Sequence, residues 1–175
     1  MEKINYTLKR SARAKYMRLA IYPSEGVVVT APWGFDSDLI EKFIYKKAHW
    51  ISKKLKYFVG KTVLKGSKRD YYKNKTQALA LATNKIVEWN SFYGFAYNKI
   101  SIRRQKSRWG SCSKKGNLNF NYKIIYLKPN QLDYLIVHEL CHLKEFNHSP
   151  KFWALVSQTM PDYFKLKKEL KNIIA

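Results

Sequence analysis

The chain has 175 residues, of which 46% are hydrophobic and 15% aromatic, so it has material for a core and is too apolar for a disordered segment. Lys+Arg number 34 against 12 Asp+Glu, a formal net charge of +22, which favours a polyanionic partner such as nucleic acid, although a lysine-rich background composition contributes to it. No stretch approaches the roughly 20 apolar residues of a bilayer span, the first residues lack a signal-peptide core, and Cys112 and Cys141 are too few for a disulfide framework. The expectation is a cytoplasmic protein with reduced thiols and no membrane partner.

Residues 4–31 read as three short strands, INYTLKR, MRLAIY and GVVVTA, with a turn at Pro23-Ser24-Glu25-Gly26. Asp36 or Ser37 then caps a helix running through Ile40, Phe43, Ile44, Trp50 and Ile51. The basic run 60–74 marks the end of this first module. A helix is predicted over 75–93, with Ala78, Leu81, Ala82, Trp89 and Tyr93 near helical spacing and Gly94 as its stop. Strands follow at 99–103 and 117–121, joined by a loop over Gln105–Ser113. Pro129-Asn130 opens a helix through Leu132, Leu135, Ile136 and Leu143 that is apolar nearly all round, hence central and buried. Ser149-Pro150 starts another helix, and a last one begins near Pro161 and includes Leu166, Leu170 and Ile173.

The buried helix carries His138-Glu139-Leu140-Cys141-His142. Histidines four residues apart project from one helix face and can hold one ion between them. The adjacent Glu139 can take a proton from water that the ion activates. A catalytic zinc needs a third protein ligand, and His148 is the leading candidate. The chain must turn between His142 and His148, and Asn147 tolerates the left-handed conformation such a turn invites. Glu169 is a possible replacement for His148, and Cys112 a possible fourth ligand that would close the site. Cys141 points away from the histidine face, and His49 reads as structural. The spacing His138 to His142 to His148 equals that of the metzincins, but Glu145 stands where their glycine would be.

The runs KSRWGSCSKKGNLNFN, LDYLIVHELCHLKEFNHSPKFW and MPDYFKLKKEL resemble the YgjP-like metallopeptidase domain, which is similar to the SprT-type and WLM zinc peptidases. The resemblance is most specific over residues 106–163. It implies an α+β, zincin-like metallopeptidase fold with the HExxH helix central and a small antiparallel sheet. On this reading residues 1–70 form an N-terminal strand and helix module, and residues 71–175 form the metallopeptidase domain. It also implies one Zn2+ per chain on His138, His142 and His148, with Glu139 as general base.

The expected activity is hydrolysis of peptide bonds in a protein or peptide substrate, with Arg108 and Tyr163 as candidate transition-state stabilisers. The strand at 117–121 is expected to offer its edge to an extended peptide. Some SprT-type and WLM relatives act on DNA-attached proteins, which makes nucleic-acid-associated targets a possible class. The alternative is a non-enzymatic, basic nucleic-acid-binding protein with a structural zinc. Its stacking residues would lie in Lys106-Ser107-Arg108-Trp109 and Arg69-Asp70-Tyr71-Tyr72.

Overall fold

The computed structural model describes residues 4–23, 25–105 and 107–175. It divides into two units, one ending at Val63 and one beginning at Leu64. The sequence-based boundary at 70/71 falls inside a helix of the second unit.

In the first unit β1 (Tyr6–Arg10), β2 (Arg18–Tyr22) and β3 (Gly26–Ala31) form a sheet of order β1-β3-β2. Strand β3 lies in the middle because GVVVTA is its most apolar segment, with Val27, Val28, Val29 and Ala31 all buried. Its neighbour β1 runs parallel and β2 antiparallel. Helices α1 (Ser37–Lys46) and α2 (Ala48–Phe58) add Ile40, Ile44 and Ile51 to this core. Asp36 caps α1 by accepting from the Asp38 N–H. The single helix expected here is two, because Lys47 leaves the helical region at φ −101° and ψ 5°. The two-residue strand β4 (Thr62–Val63) ends the unit. Ser24, in the expected turn, lies outside the described residues.

The second unit opens with α3 (Lys68–Tyr93), which starts seven residues before the predicted helix. Ser67 and Asp70 form a reciprocal capping box at its start. Gly94 ends it at φ 61°, a left-handed conformation that suits glycine. Then come β5 (Lys99–Arg103), β6 (Gly110–Cys112) and β7 (Asn117–Asn121), in the order β5-β7-β6. Strand β7 pairs parallel with β5 and antiparallel with β6, so the sheet is mixed, not antiparallel as expected. A 3-10 turn over Tyr122–Tyr126 leads into α4 (Pro129–Cys141), followed by α5 (Pro150–Thr159), α6 (Tyr163–Lys171) and the short β8 (Ile173–Ile174). Ile173 therefore lies beyond the last helix, and Leu143 beyond α4.

The core of this unit gathers around α4, where Leu132, Leu135, Ile136, Val137 and Leu140 meet Leu118 and Phe120 of β7, Phe152 and Val156 of α5, and Leu166 and Leu170 of α6. Full burial of each such side chain is worth about 1.5–3 kcal/mol. Helix α3 covers another side with Ala78, Ala82 and Ile86, and Asp133 of α4 binds Lys85 at 2.9 Å and the Trp89 indole N–H at 3.1 Å. The α+β class is thus the observed one, with the HExxH helix central and buried. No helix among the described residues is long and apolar enough to cross a membrane.

Candidate active site

Helix α4 carries His138 and Glu139 in its last turn and ends at His142. The four-residue spacing puts the two imidazoles on one face, 4.8 Å apart between ring centroids. The chain then turns through Leu143–Asn147, with the Glu145 N–H bonded to the Cys141 carbonyl at 3.0 Å. No non-glycine residue among those described has positive φ, so Asn147 makes this turn without the left-handed conformation expected of it. Ser149 restarts the helical path, its hydroxyl accepting from the Phe152 N–H at 3.3 Å with Pro150 in the first turn. That restart returns His148 to the other two histidines.

The ligand atoms of His138, His142 and His148 all lie within 4.8 Å of one another, and among the described residues they are the one group of its kind. Glu169 instead accepts from the Gln131 amide at 3.1 Å, Cys112 and Cys141 are unpaired thiols outside the group, and His49 sits exposed on α2. The Nε2 atoms of His138 and His148 are 3.1 Å apart. Two nitrogens each about 2.0–2.1 Å from a tetrahedral ion lie about 3.3 Å apart, close to that separation. The His142 Nδ1–H donates to the Glu145 carbonyl at 2.9 Å, so its Nε2 keeps a lone pair for an ion. Tyr134, one turn before His138, brings its hydroxyl 3.5 Å from His138 Nδ1. Phe152 stacks on His142 with centroids 4.4 Å apart, and Trp153 on His148 at 5.5 Å, so α5 fixes the rings with aromatic planes.

Burial sets the protonation of these groups. It pushes His138 down to about 3, helped by repulsion from His142, His148 and Lys167. His142 and His148 are lowered too, first by burial, so the triad is held neutral, as metal ligation requires. Glu139 is 5% exposed, and burial pushes its carboxyl up to about 8 against the opposing charge of Arg108. Its Oε2 is buried without a hydrogen-bond partner among the described residues. An orphaned carboxylate oxygen beside three convergent imidazoles fits a centre that holds a metal ion and a water.

The sequence reading missed Gly110. A Cβ at this position would lie 2.5 Å from Glu139 Oε1 and 2.7 Å from its Cγ, so only glycine lets the edge of β6 approach the carboxylate. The signal was the glycine in Trp109-Gly110-Ser111, read simply as loop. Tyr134 was findable by its four-residue spacing before His138. These groups open onto a cleft of about 670 Å³ lined also by Arg108, Trp109, Leu135, Trp153, Lys167, Leu170 and Lys171. Of the two candidate stabilisers, Arg108 lines this cleft, whereas Tyr163 stacks on Trp153 at 5.0 Å and is not part of the lining.

Other expectations fare differently. Strand β7 is the middle strand of its sheet, so both its edges are taken; β5 and β6 are the edge strands, and β6 is the one that reaches the cleft, through Gly110. Two of the three asparagines of β7 are engaged as well: Asn121 is buried and donates to the Gln105 and Arg108 carbonyls, and Asn119 to the Ser111 carbonyl at 3.5 Å. Trp109 packs against the core and donates to the Ile173 carbonyl at 3.1 Å, and Tyr71 packs likewise and donates to the Ile102 carbonyl at 3.1 Å. Neither is a free stacking platform, while Tyr72 is exposed. Lys106 lies outside the described residues.

Three imidazoles converging beside a buried carboxylate in an open cleft is the arrangement of a metal-dependent hydrolase. The family model for the YgjP-like metallopeptidase domain matches residues 15–85 and 62–173, and the chain belongs to that family. It is thus a metallopeptidase, of a kind whose metal is generally zinc. A comparison with curated proteins finds no match. Two solved structures are similar: the metallopeptidase zymogen of Pyrococcus abyssi abylysin, at 22% identity and TM-score 0.48 over 51% of this chain and 90% of that one, and the metallopeptidase zymogen of Methanocaldococcus jannaschii jannalysin, at 22% identity and TM-score 0.46 over 51% and 92%.

Proposed function

We propose that this chain hydrolyses peptide bonds with one zinc ion held by His138, His142 and His148 and with Glu139 as general base. The convergence of the three histidines on one another, with the buried Glu139 and its unpartnered Oε2 lining the same cleft as His138 and His148, carries the reading. Bound there, zinc supplies Lewis acidity, lowering the pKa of water toward about 7 and polarising the peptide carbonyl. Glu139 takes the proton of the attacking water and returns it to the leaving amine. Burial alone holds this carboxyl in its protonated form to about 8, and a dication nearby favours ionisation, leaving it able to work in both directions near neutrality. Arg108, on the cleft wall and close enough to act on the Glu139 charge, is the better-supported group for the developing oxyanion, with Tyr163 second. An extended peptide pairs along the open edge of β6.

The test begins with metal content by mass spectrometry of tag-free protein, wild type beside His148→Ala. Zinc near one per chain, lost or sharply weakened in the variant, is expected. Protein purified without chelators and supplied with zinc that carries none would overturn the reading. Glu139→Gln should keep the metal and lose hydrolysis, and unchanged turnover in that variant would remove Glu139 from its role.

The net charge of +22 supports a second component, association with nucleic acid that brings protein substrates near. Binding to DNA that weakens steeply with salt is the expected signature. The same binding with no cleavage of any protein would favour a basic module with a structural zinc. The unpaired Cys112 and Cys141 suit a reducing, cytoplasmic setting.

A further inference from the structure

The cleft walls differ in chemistry. On one side α4 supplies Tyr134, His138 and Glu139, and on another α6 supplies Lys167, Leu170 and Lys171. Lys167 and Lys171 are one helical turn apart and so share a face. The Lys167 ammonium sits 4.0 Å over the Trp153 ring, whose plane is stacked on His148, so this cation stands beside the reacting centre. It makes no ion pair among the described residues. The one carboxylate of α6, Glu169, is bound to the Gln131 amide, and the only acidic residue of the cleft lining is Glu139 itself. Whatever peptide enters the cleft meets the Lys167 ammonium, which no carboxylate among the described residues neutralises, next to an apolar surface made by Leu170 and Trp153.

We propose that this α6 wall is a carboxylate-binding subsite, in which Lys167 selects substrates that carry a carboxylate close to the scissile bond. The inference rests on the peptidase reading of the site and names its substrate class. The carboxylate comes either from an Asp or Glu side chain or from the peptide's own C-terminus. An extended chain rises about 3.3 Å per residue, so a group one or two residues from the scissile bond lies within reach of a lysine that already stands beside His148. The Trp153 ring face holds the Lys167 ammonium itself beside His148, and no carboxylate among the described residues pairs with it, so its N–H donors remain for a ligand.

The experiment uses matched fluorescent peptides bearing Glu and Asp, their Gln and Asn counterparts, or Lys, each with a free or amidated C-terminus. Binding is measured by anisotropy on zinc-loaded and zinc-free Glu139→Gln protein, and cleavage is measured on wild type. Acidic peptides should bind about tenfold more tightly than their amide counterparts, as a charge-assisted contact warrants. Lys167→Glu should abolish or invert that preference and Lys167→Gln should flatten it. Lys115→Glu, the same charge change at an exposed residue outside the cleft lining, should leave it. A preference kept in amidated peptides assigns the side chain as the source, and one lost on amidation assigns the C-terminal carboxylate.

Equal binding of acidic and amide peptides, or a preference that survives Lys167→Glu, overturns the subsite. A single-stranded oligonucleotide that binds more tightly than the acidic peptides, through the same lysine, overturns it in favour of nucleic acid. Cleavage of every peptide at one rate, with equal binding, removes the subsite and leaves the peptidase. Binding that depends on Lys167 with no peptide cleaved keeps the subsite and removes the peptidase.

Discussion

Helix α3 runs for 26 residues and contributes no group to the cleft, whereas α4 runs for 13 and supplies Tyr134, His138 and Glu139, with His142 at its end. The difference follows burial rather than length. Three residues of α3 are buried, Ala78, Ala82 and Ile86, with Tyr71, Leu81, Trp89 and Tyr93 half-buried beside them and the rest of the helix, Val87 and Phe92 included, facing solvent. Nine of α4 are buried, including Gln131 and Glu139. A polar side chain on α3 is solvated and costs nothing. On α4 it must find a partner, shift its pKa or hold a ligand. Gln131 and Asp133 take the first course, through Glu169 and through Lys85 and Trp89. Glu139 takes the second, pushed up to about 8. On the proposed reading, His138 and His142 take the third, together with His148. Chemistry sits on the shorter helix because only there does the protein, not water, set the properties of each group.

If burial is what separates the two helices, truncations should separate them too. Leu140→Ala removes a fully buried side chain of α4 and should cost about 3 kcal/mol, while Val87→Ala on the exposed side of α3 should change stability by less than about 0.5 kcal/mol. Urea midpoints at unchanged m-value measure both. Equal losses would mean that α3 contributes more to the core than its stripe of small residues indicates. Gly110→Ala tests how closely α4 is fitted to its neighbour. The new methyl group meets the Glu139 carboxylate at 2.5 Å, and moving that group by about 1 Å should lower turnover about 100-fold with metal content and circular dichroism unchanged. Wild-type turnover in this variant would show that β6 does not position Glu139.

The same contrast explains what could be read in the sequence. Helix α4 was legible because an unbroken apolar run and a four-residue His spacing are local signals, and Ser149-Pro150 told where the chain restarts toward His148. The start of α3 was not, since Lys68–Asn74 carries almost no apolar residue for periodicity to register. Its signature is the cap pair Ser67 and Asp70, set in a basic run that reads as linker. The mixed pairing of β5, β6 and β7 depends on which strand lies in the middle, a non-local choice decided by the burial of Leu118 and Phe120 against α4. Gly110 and Lys167 were invisible as site residues for a related reason. Their meaning comes from Glu139 and Trp153, which are 29 and 14 residues away in the chain and adjacent only after folding.

The smallest expected effect lies at that cap. The Ser67 hydroxyl accepts from the Asp70 N–H at 3.1 Å, while the Asp70 carboxylate accepts from the Ser67 N–H and hydroxyl, both at 2.7 Å. Ser67→Ala should cost about 1 kcal/mol, the usual loss for an N-cap, and should leave the cleft and turnover unchanged because α3 contributes nothing to either. The bonds from Ser67 hold the Asp70 carboxyl below its ordinary value of 3.8. A carboxyl with a depressed folded-state pKa stabilises the fold above its unfolded value, and that stabilisation disappears as pH falls through the folded one. Wild type should therefore lose this contribution progressively as pH falls through 3.8 toward the lower folded value, and Asp70→Asn should show a shallower fall in Tm across the same acid range. An acid profile identical to wild type in Asp70→Asn would show that the cap does not couple to titration. A Ser67→Ala variant with impaired turnover would break the division between the long helix outside the cleft and the short one that lines it.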